Sequence, residues 1–171
     1  RDSTYYVFGL GDYDVEKSIM QSKPVIYIKC KSEEDLLDRF LRFWNHEYTC
    51  PDVITGWNSR LFDIPYLVNR VRNLLGDDAV KKFSPWGVVE QRTIVIAGRE
   101  NIAYELIGIQ QLDYYDCFKK FGYSYGMQES YKLDHIAFVV LGERKLSYEE
   151  YGNLHTLYKD CLLYTSPSPR D

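Results

Sequence analysis

The stretch of residues 52–76, DVITGWNSRLFDIPYLVNRVRNLLG, leaves the backbone few choices. The short apolar run around Val53 and Ile54 reads as a buried strand, and Pro65 opens a helix whose apolar residues Leu67, Val68, Val71, Leu74 and Leu75 recur at helical spacing up to a stop at Gly76. Between strand and helix lie one carboxamide, Asn58, and one carboxylate, Asp63. An aspartate in that position is most often a helix N-cap, satisfying backbone N–H groups that have no partner in the first turn. Proline disfavours helical geometry in the residue before it, which puts Ile64 nearer the cap and Asp63 outside the helix, facing the end of a sheet. In open α/β sheets that edge is where ligands sit. Asn58 alone reads as a turn residue satisfying local backbone.

The flanking segments repeat the alternation of strand and helix. TYYVFGLGDYD and KPVIYIKC read as two strands that form a hairpin-like pair. A helix start follows at Ser32 with Asp35 three residues on, and Leu36, Leu37, Phe40, Leu41, Phe43 and Trp44 share one face. Residues 92–109, RTIVIAGRENIAYELIGI, read as a β-hairpin around Gly98-Arg99-Glu100-Asn101 with a turn longer than two residues, inserted into the α/β core. IQQLDYYD reads as a strand with Asp113 and Asp116 on opposite faces, structural in role, and CFKKFG as a short helix. SYKLDHIAFVVLG reads as a helix capped by Ser130 and ended by Gly142, and SYEEYGNLHTLYKD as a last helical piece.

Length and charge narrow the class without choosing a partner. A chain of 171 residues, 45% apolar, supplies one domain with one core. A net charge of −4 without long single-sign blocks argues against a coat protein for nucleic acid. Cys30, Cys50, Cys117 and Cys161 form no CxxC pair and read as reduced thiols of a cytosolic protein. No apolar run approaches the roughly 20 residues of a membrane helix, so no membrane partner is expected. Asp14 and Glu16 have the D-x-E spacing of a shared metal site, but they follow Gly9 and Gly11 and read as a solvated acidic loop. His46, His135 and His155 stand alone and receive no catalytic role.

Read together, PDVITGWNSRLFDIPYLVNRVRNLLG, KSEEDLLDRFLRFW, Ser84-Pro85 before a hairpin, LDYYDCFKKF and SYKLDHIAFVVLGERKLSYEEYGNLHTLYK resemble, in the same order, the exonuclease region of family B DNA polymerases of the T-even-like bacteriophage type. The likeness runs from Tyr5 to Asp160. It implies a ribonuclease H-like α/β exonuclease fold that removes mispaired 3′ nucleotides. In that family, acidic residues of three motifs hold two divalent metals, Mg²⁺ or Mn²⁺, roughly 4 Å apart. The second motif supplies one carboxylate, here Asp63. Asn58 and Phe62 match positions that hold the single-stranded primer end by amide hydrogen bonds and stacking. Arg99, at the tip of a hairpin that parts primer from template, is the expected phosphate or base contact.

The first and third motifs of the family have no counterpart here, so the fold is expected to be truncated, lacking its first strand and last helix, and the chain alone inactive. Arg1-Asp2-Ser3 carries no initiator Met and reads as the interior of a larger protein. Residues 161–171, CLLYTSPSPRD, resemble the translation of a transposase adapter used in sequencing libraries, leaving residues 1–160 as the partial exonuclease domain. Single-stranded and primer-template DNA, a sliding clamp and replisome proteins are the partners the resemblance implies for the parent, in the cytoplasm of an infected bacterial host. The rival readings are a stand-alone ribonuclease H-like exonuclease and a non-catalytic module binding single-stranded DNA.

Overall fold

The computed structural model describes residues 4–13, 24–96 and 98–144. Asp14, Glu16, His155, Cys161, the last helical piece and the adapter-like residues 161–171 lie outside them. The chain divides into two compact units, one formed by residues up to Ser32 together with those from Gln128, the other by Glu33–Met127.

In the first unit, β1 (Tyr5–Gly9) and β2 (Val25–Lys29) pair in parallel, Tyr5 opposite Val25 through Gly9 opposite Lys29. The expected hairpin is therefore corrected. A parallel pair needs a crossover of about a dozen residues or more, and the long stretch between these strands is sufficient, whereas a hairpin would need only a short turn. The same unit holds α5 (Leu133–Leu141). Ser130 does not occupy the cap position: its hydroxyl accepts from the Lys132 N–H at 3.3 Å, ahead of a helix whose N-cap is Lys132. Gly142 ends the helix in the left-handed conformation, as its sequence position predicts.

The second unit holds the core. Helix α1 (Glu33–Trp44) buries Leu37 and Leu41, with Leu36, Phe40 and Trp44 packed beside them. Helix α2 (Asp63–Leu75) adds Ile64, Val68 and Val71, and α3 (Asp77–Val80) with the 3₁₀ turn Lys81–Phe83 adds Ala79, Val80 and Phe83. Tyr104, Leu106 and Ile109 complete the cluster. The two helices are also tied by a fork of charge-assisted bonds, Arg70 to both oxygens of Glu33. That hydrogen bonding holds the Glu33 carboxyl below the usual carboxylate range. Because the folded value lies below the unfolded one of about 4.3, this contribution is present above that pH and fades as pH falls through the folded value. Urea midpoints are expected to decline in acid, with a shallower decline in Glu33→Gln; the effect is small because both side chains are about 40% exposed.

Strands pair two by two among the described residues: β1 with β2, β3 (Val53–Gly56) with β6 (Gln110–Asp113) in parallel, and β4 (Val89–Ile96) with β5 (Arg99–Leu106) antiparallel. The architecture is mixed α/β. Strand β3 is not buried as its apolar run suggests, since Val53 is 49% exposed while Ile54 packs on the core. The hairpin β4–β5 runs from Val89 to Leu106, three residues earlier than its sequence suggests. Ile96 pairs with Arg99, so the two strands run to within two residues of each other. Gly98, at φ 76°, supplies the positive φ that two-residue hairpin turns demand. Arg99, Glu100 and Asn101 looked like loop because they are polar, yet at an exposed hairpin tip polar side chains serve equally well in strands.

Candidate nucleic-acid interface

Strand β3 ends on Gly56, and the chain folds back at once. A Cβ at Gly56 would lie 2.8 Å from the Ser59 Cβ, too close for any side chain to share that space. Gly56→Ala is expected to destabilise the chain by about 1–2 kcal/mol, read from the urea midpoint, because Ser59 belongs to the turn that feeds α2. The Ser59 carbonyl accepts from the Ile64 N–H at 2.9 Å, and the Asn58 carbonyl from the N–H groups of Leu61 and Phe62 at 3.3 and 3.1 Å. Asn58 itself takes φ 59°, left-handed backbone that asparagine tolerates better than most residues.

Asp63 is the first residue of α2, inside the helix rather than outside it, and Phe62 takes the cap position. Pro65 sits third in the helix. That is compatible because the first-turn N–H groups lack intrahelical partners anyway, so a missing donor costs nothing there. Asp63 therefore stands one residue inside the helix and is not its N-cap. Its carboxylate lies in the first turn, where the helix dipole favours negative charge.

Asp113 and Asp116 do not lie on opposite faces of a strand. Strand β6 stops at Asp113, and Tyr114 already begins α4 (Tyr114–Phe121). Asp113 is 7% exposed, and its carboxylate accepts three backbone N–H groups: Asn58 at 2.8 Å, Arg60 at 3.0 Å and Tyr115 at 3.0 Å. The last of these is the N-cap of α4. One buried acid thus joins the end of β6, the start of α4 and the loop after β3. The sequence held a signal for it: Asp113 and Asp116 have the N-cap to N3 spacing of a capping box.

A groove of about 610 Å³ opens beside this junction. Asn58, Arg60 and Leu61 line it from the loop, Ile94, Ile96, Arg99 and Asn101 from the hairpin, and Tyr115, Asp116 and Lys119 from α4. The Arg60 guanidinium donates to Glu105 of β5 at 2.7 Å. The Lys119 ammonium sits 4.4 Å from the centre of the Tyr115 ring, the two residues being four apart on one helical face. Trp57 backs this face of α4, edge-on to Tyr115 at 5.9 Å and 6.0 Å from Phe118. Three cations, two carboxamides and an aromatic ring along an open groove are the groups that contact phosphates and stack on bases. Of the residues singled out by sequence, Asn58 and Arg99 come together here; Phe62 and Asp63 do not line the groove. Arg60, Tyr115 and Lys119 were missed, since only the hairpin and α4 meeting the loop makes them neighbours.

The implied metal pair can be tested against these residues. No group of three or more His, Cys, Asp or Glu side chains gathers among the described residues. Asp63 offers one carboxylate, while two hard cations of about six oxygen ligands each need several. The described residues do not by themselves fit such a pair.

The exonuclease domain of family B DNA polymerases matches the chain over residues 2–136. The chain belongs to that family. This exonuclease-domain chain is 39% identical over 127 residues to the DNA-directed DNA polymerase of Escherichia phage RB69, covering 73% of the chain and 13% of that protein. To the DNA-directed DNA polymerase of Enterobacteria phage T4 it is 35% identical over 125 residues, covering 73% of the chain and 14% of the relative. A more distant match, 30% identical over 156 residues, is the DNA polymerase catalytic subunit of Psittacid herpesvirus 1, covering 88% of the chain and 14% of that subunit. The exonuclease-domain chain thus spans about one seventh of the length of these relatives. None of its described helices is long and apolar enough to cross a membrane.

Proposed function

We propose that the chain is the larger part of the proofreading 3′–5′ exonuclease domain of a phage-type family B DNA polymerase, and that its groove receives single-stranded DNA. The observation that carries this reading is the match to the family's exonuclease domain over residues 2–136. In it, residues 1–160 are the native domain on a ribonuclease H-like plan, and residues 161–171 are foreign to it. Asn58 and Arg99 contact the strand inside the groove, and Phe62, exposed outside it, is a stacking contact. Asp63 is one carboxylate of a site for two Mg²⁺ or Mn²⁺ ions whose other ligands come from the longer polymerase. Primer-template DNA, a sliding clamp and replisome proteins are that polymerase's partners, in the cytoplasm of an infected bacterium.

Fluorescence anisotropy with a labelled oligothymidylate tests the binding half. Each phosphate neutralised by a cation adds about −0.7 to the slope of log K against log salt for single strands. With the Arg60 guanidinium paired to Glu105, Arg99 and Lys119 are expected to give a slope of about −1.4, with Arg99→Ala and Lys119→Ala each making it shallower by about 0.7. Salt-insensitive binding, or slopes unmoved by both substitutions, would remove the groove from this reading.

A further inference from the structure

The three bonds to Asp113 are not equivalent. Its Oδ1 serves the Tyr115 and Asn58 N–H groups, and its Oδ2 serves that of Arg60. The Tyr115 bond is a helix cap, and any short polar side chain would provide it. The other two reach back 55 and 53 residues along the chain, to alternate positions of the loop, and need two acceptor oxygens pointing apart. A carboxylate meets that need, and the asparagine or serine that would cap α4 equally well does not.

What these bonds hold is the wall of the groove. Asn58 is the one non-glycine residue with positive φ among the described residues, a conformation that persists only where its surroundings over-determine it. Its N–H is fixed by Asp113 and its carbonyl by Leu61 and Phe62. Arg60 is held by its main chain to Asp113 and by its side chain to Glu105 of β5, so the setting of the loop is tied to the hairpin as well. Asp113 does not itself line the groove.

We propose that Asp113 is a positioning residue for strand binding: it sets Asn58 and Arg60 in their groove-facing places and touches no nucleotide itself. The proposal rests on the reading of the groove as a single-strand site, and its test separates the two. Asp113→Ser keeps a cap for α4 while releasing both loop N–H groups. The full 171-residue chain is compared with this variant by anisotropy with labelled oligothymidylate and by amide hydrogen exchange, at a temperature where both have the same helix content by circular dichroism. The affinity of Asp113→Ser is expected to fall about tenfold, and Asp113→Ser combined with Asn58→Ala to lose clearly less than the product of the two single losses, because Asp113 acts in part through Asn58 and otherwise through Arg60. Exchange at Asn58 and Arg60 is expected to quicken about tenfold or more while Tyr115 stays protected.

An affinity within twofold of the parent chain, or losses that multiply in the double variant, would overturn the proposal. If the parent chain binds no oligonucleotide, the strand-site reading falls, and the positioning of the loop is decided by exchange: unchanged protection at Asn58 and Arg60 in Asp113→Ser overturns it. Should the serine variant unfold, Asp113→Asn replaces it. That side chain keeps one acceptor and turns an NH₂ toward the Arg60 N–H, so release at Arg60 alone is the supporting outcome and an undisturbed Arg60 the contrary one.

Discussion

Phe83→Ala is expected to lower the unfolding free energy by about 3–5 kcal/mol, the range for removing a buried phenylalanine. Phe83 is 0% exposed, in the 3₁₀ turn after α3, and it closes the core from beneath α1. The Trp44 ring meets it edge-on with centroids 5.8 Å apart, and Phe40 lies 6.4 Å away. Its carbonyl also accepts from the Trp44 indole N–H at 3.0 Å, so the turn and the helix are joined by a polar bond as well as by packing. Truncation leaves a void that this anchored tryptophan is poorly placed to fill, which argues for the upper half of the range. Urea unfolding should show the midpoint falling at unchanged slope. Phe62→Ala is the control: its ring is 55% exposed, and a change within about 0.5 kcal/mol is expected. Equal losses in the two variants would contradict the core assignment.

Asp113→Ala is expected to cost about 2–4 kcal/mol, although no apolar contact is at stake. Losing the cap of α4 accounts for about 1 kcal/mol. The Asn58 and Arg60 N–H groups lose a charged acceptor in a part-buried position, worth about 1.5–3 kcal/mol each before the loop relaxes toward water. The contributions are coupled, so the total is less than their sum. Asp113→Asn should recover at least half of the loss, because one oxygen remains for Asn58 and Tyr115. Chemical denaturation of the three forms decides the matter, and an alanine variant as stable as the parent would mean that water replaces the carboxylate freely.

Local chemistry was legible where the determinants of an element lie within it. The apolar stripe of α1, the helical spacing of α2 up to Gly76 and the left-handed stop of α5 at Gly142 were read from neighbouring residues and match the structure. Even local reading slipped at boundaries. The sequence places Pro65 first in the helix, yet Asp63 and Ile64 precede it there, since three or four positions of a first turn tolerate a missing N–H. At the hairpin, polarity was mistaken for a loop, and the two-residue turn moved both strands toward the N-terminus.

The sequence by itself determined α1, α2, α5 and the body of α4, the presence of the hairpin and, through the order of its motif-like blocks, membership of the exonuclease family, because periodicity, turn chemistry and motif spacing are properties of contiguous residues. Tertiary structure alone decided that β1 and β2 run parallel, that Val53 faces outward, and that Arg60, Arg99, Tyr115 and Lys119 share one groove. It also showed what the structural role expected of Asp113 consists of: an acceptor at the end of β6 that joins three segments. The physical reason is the same in each case: strand direction, burial and the partners of a buried carboxylate depend on groups tens of residues away, and no local pattern records which of them will arrive.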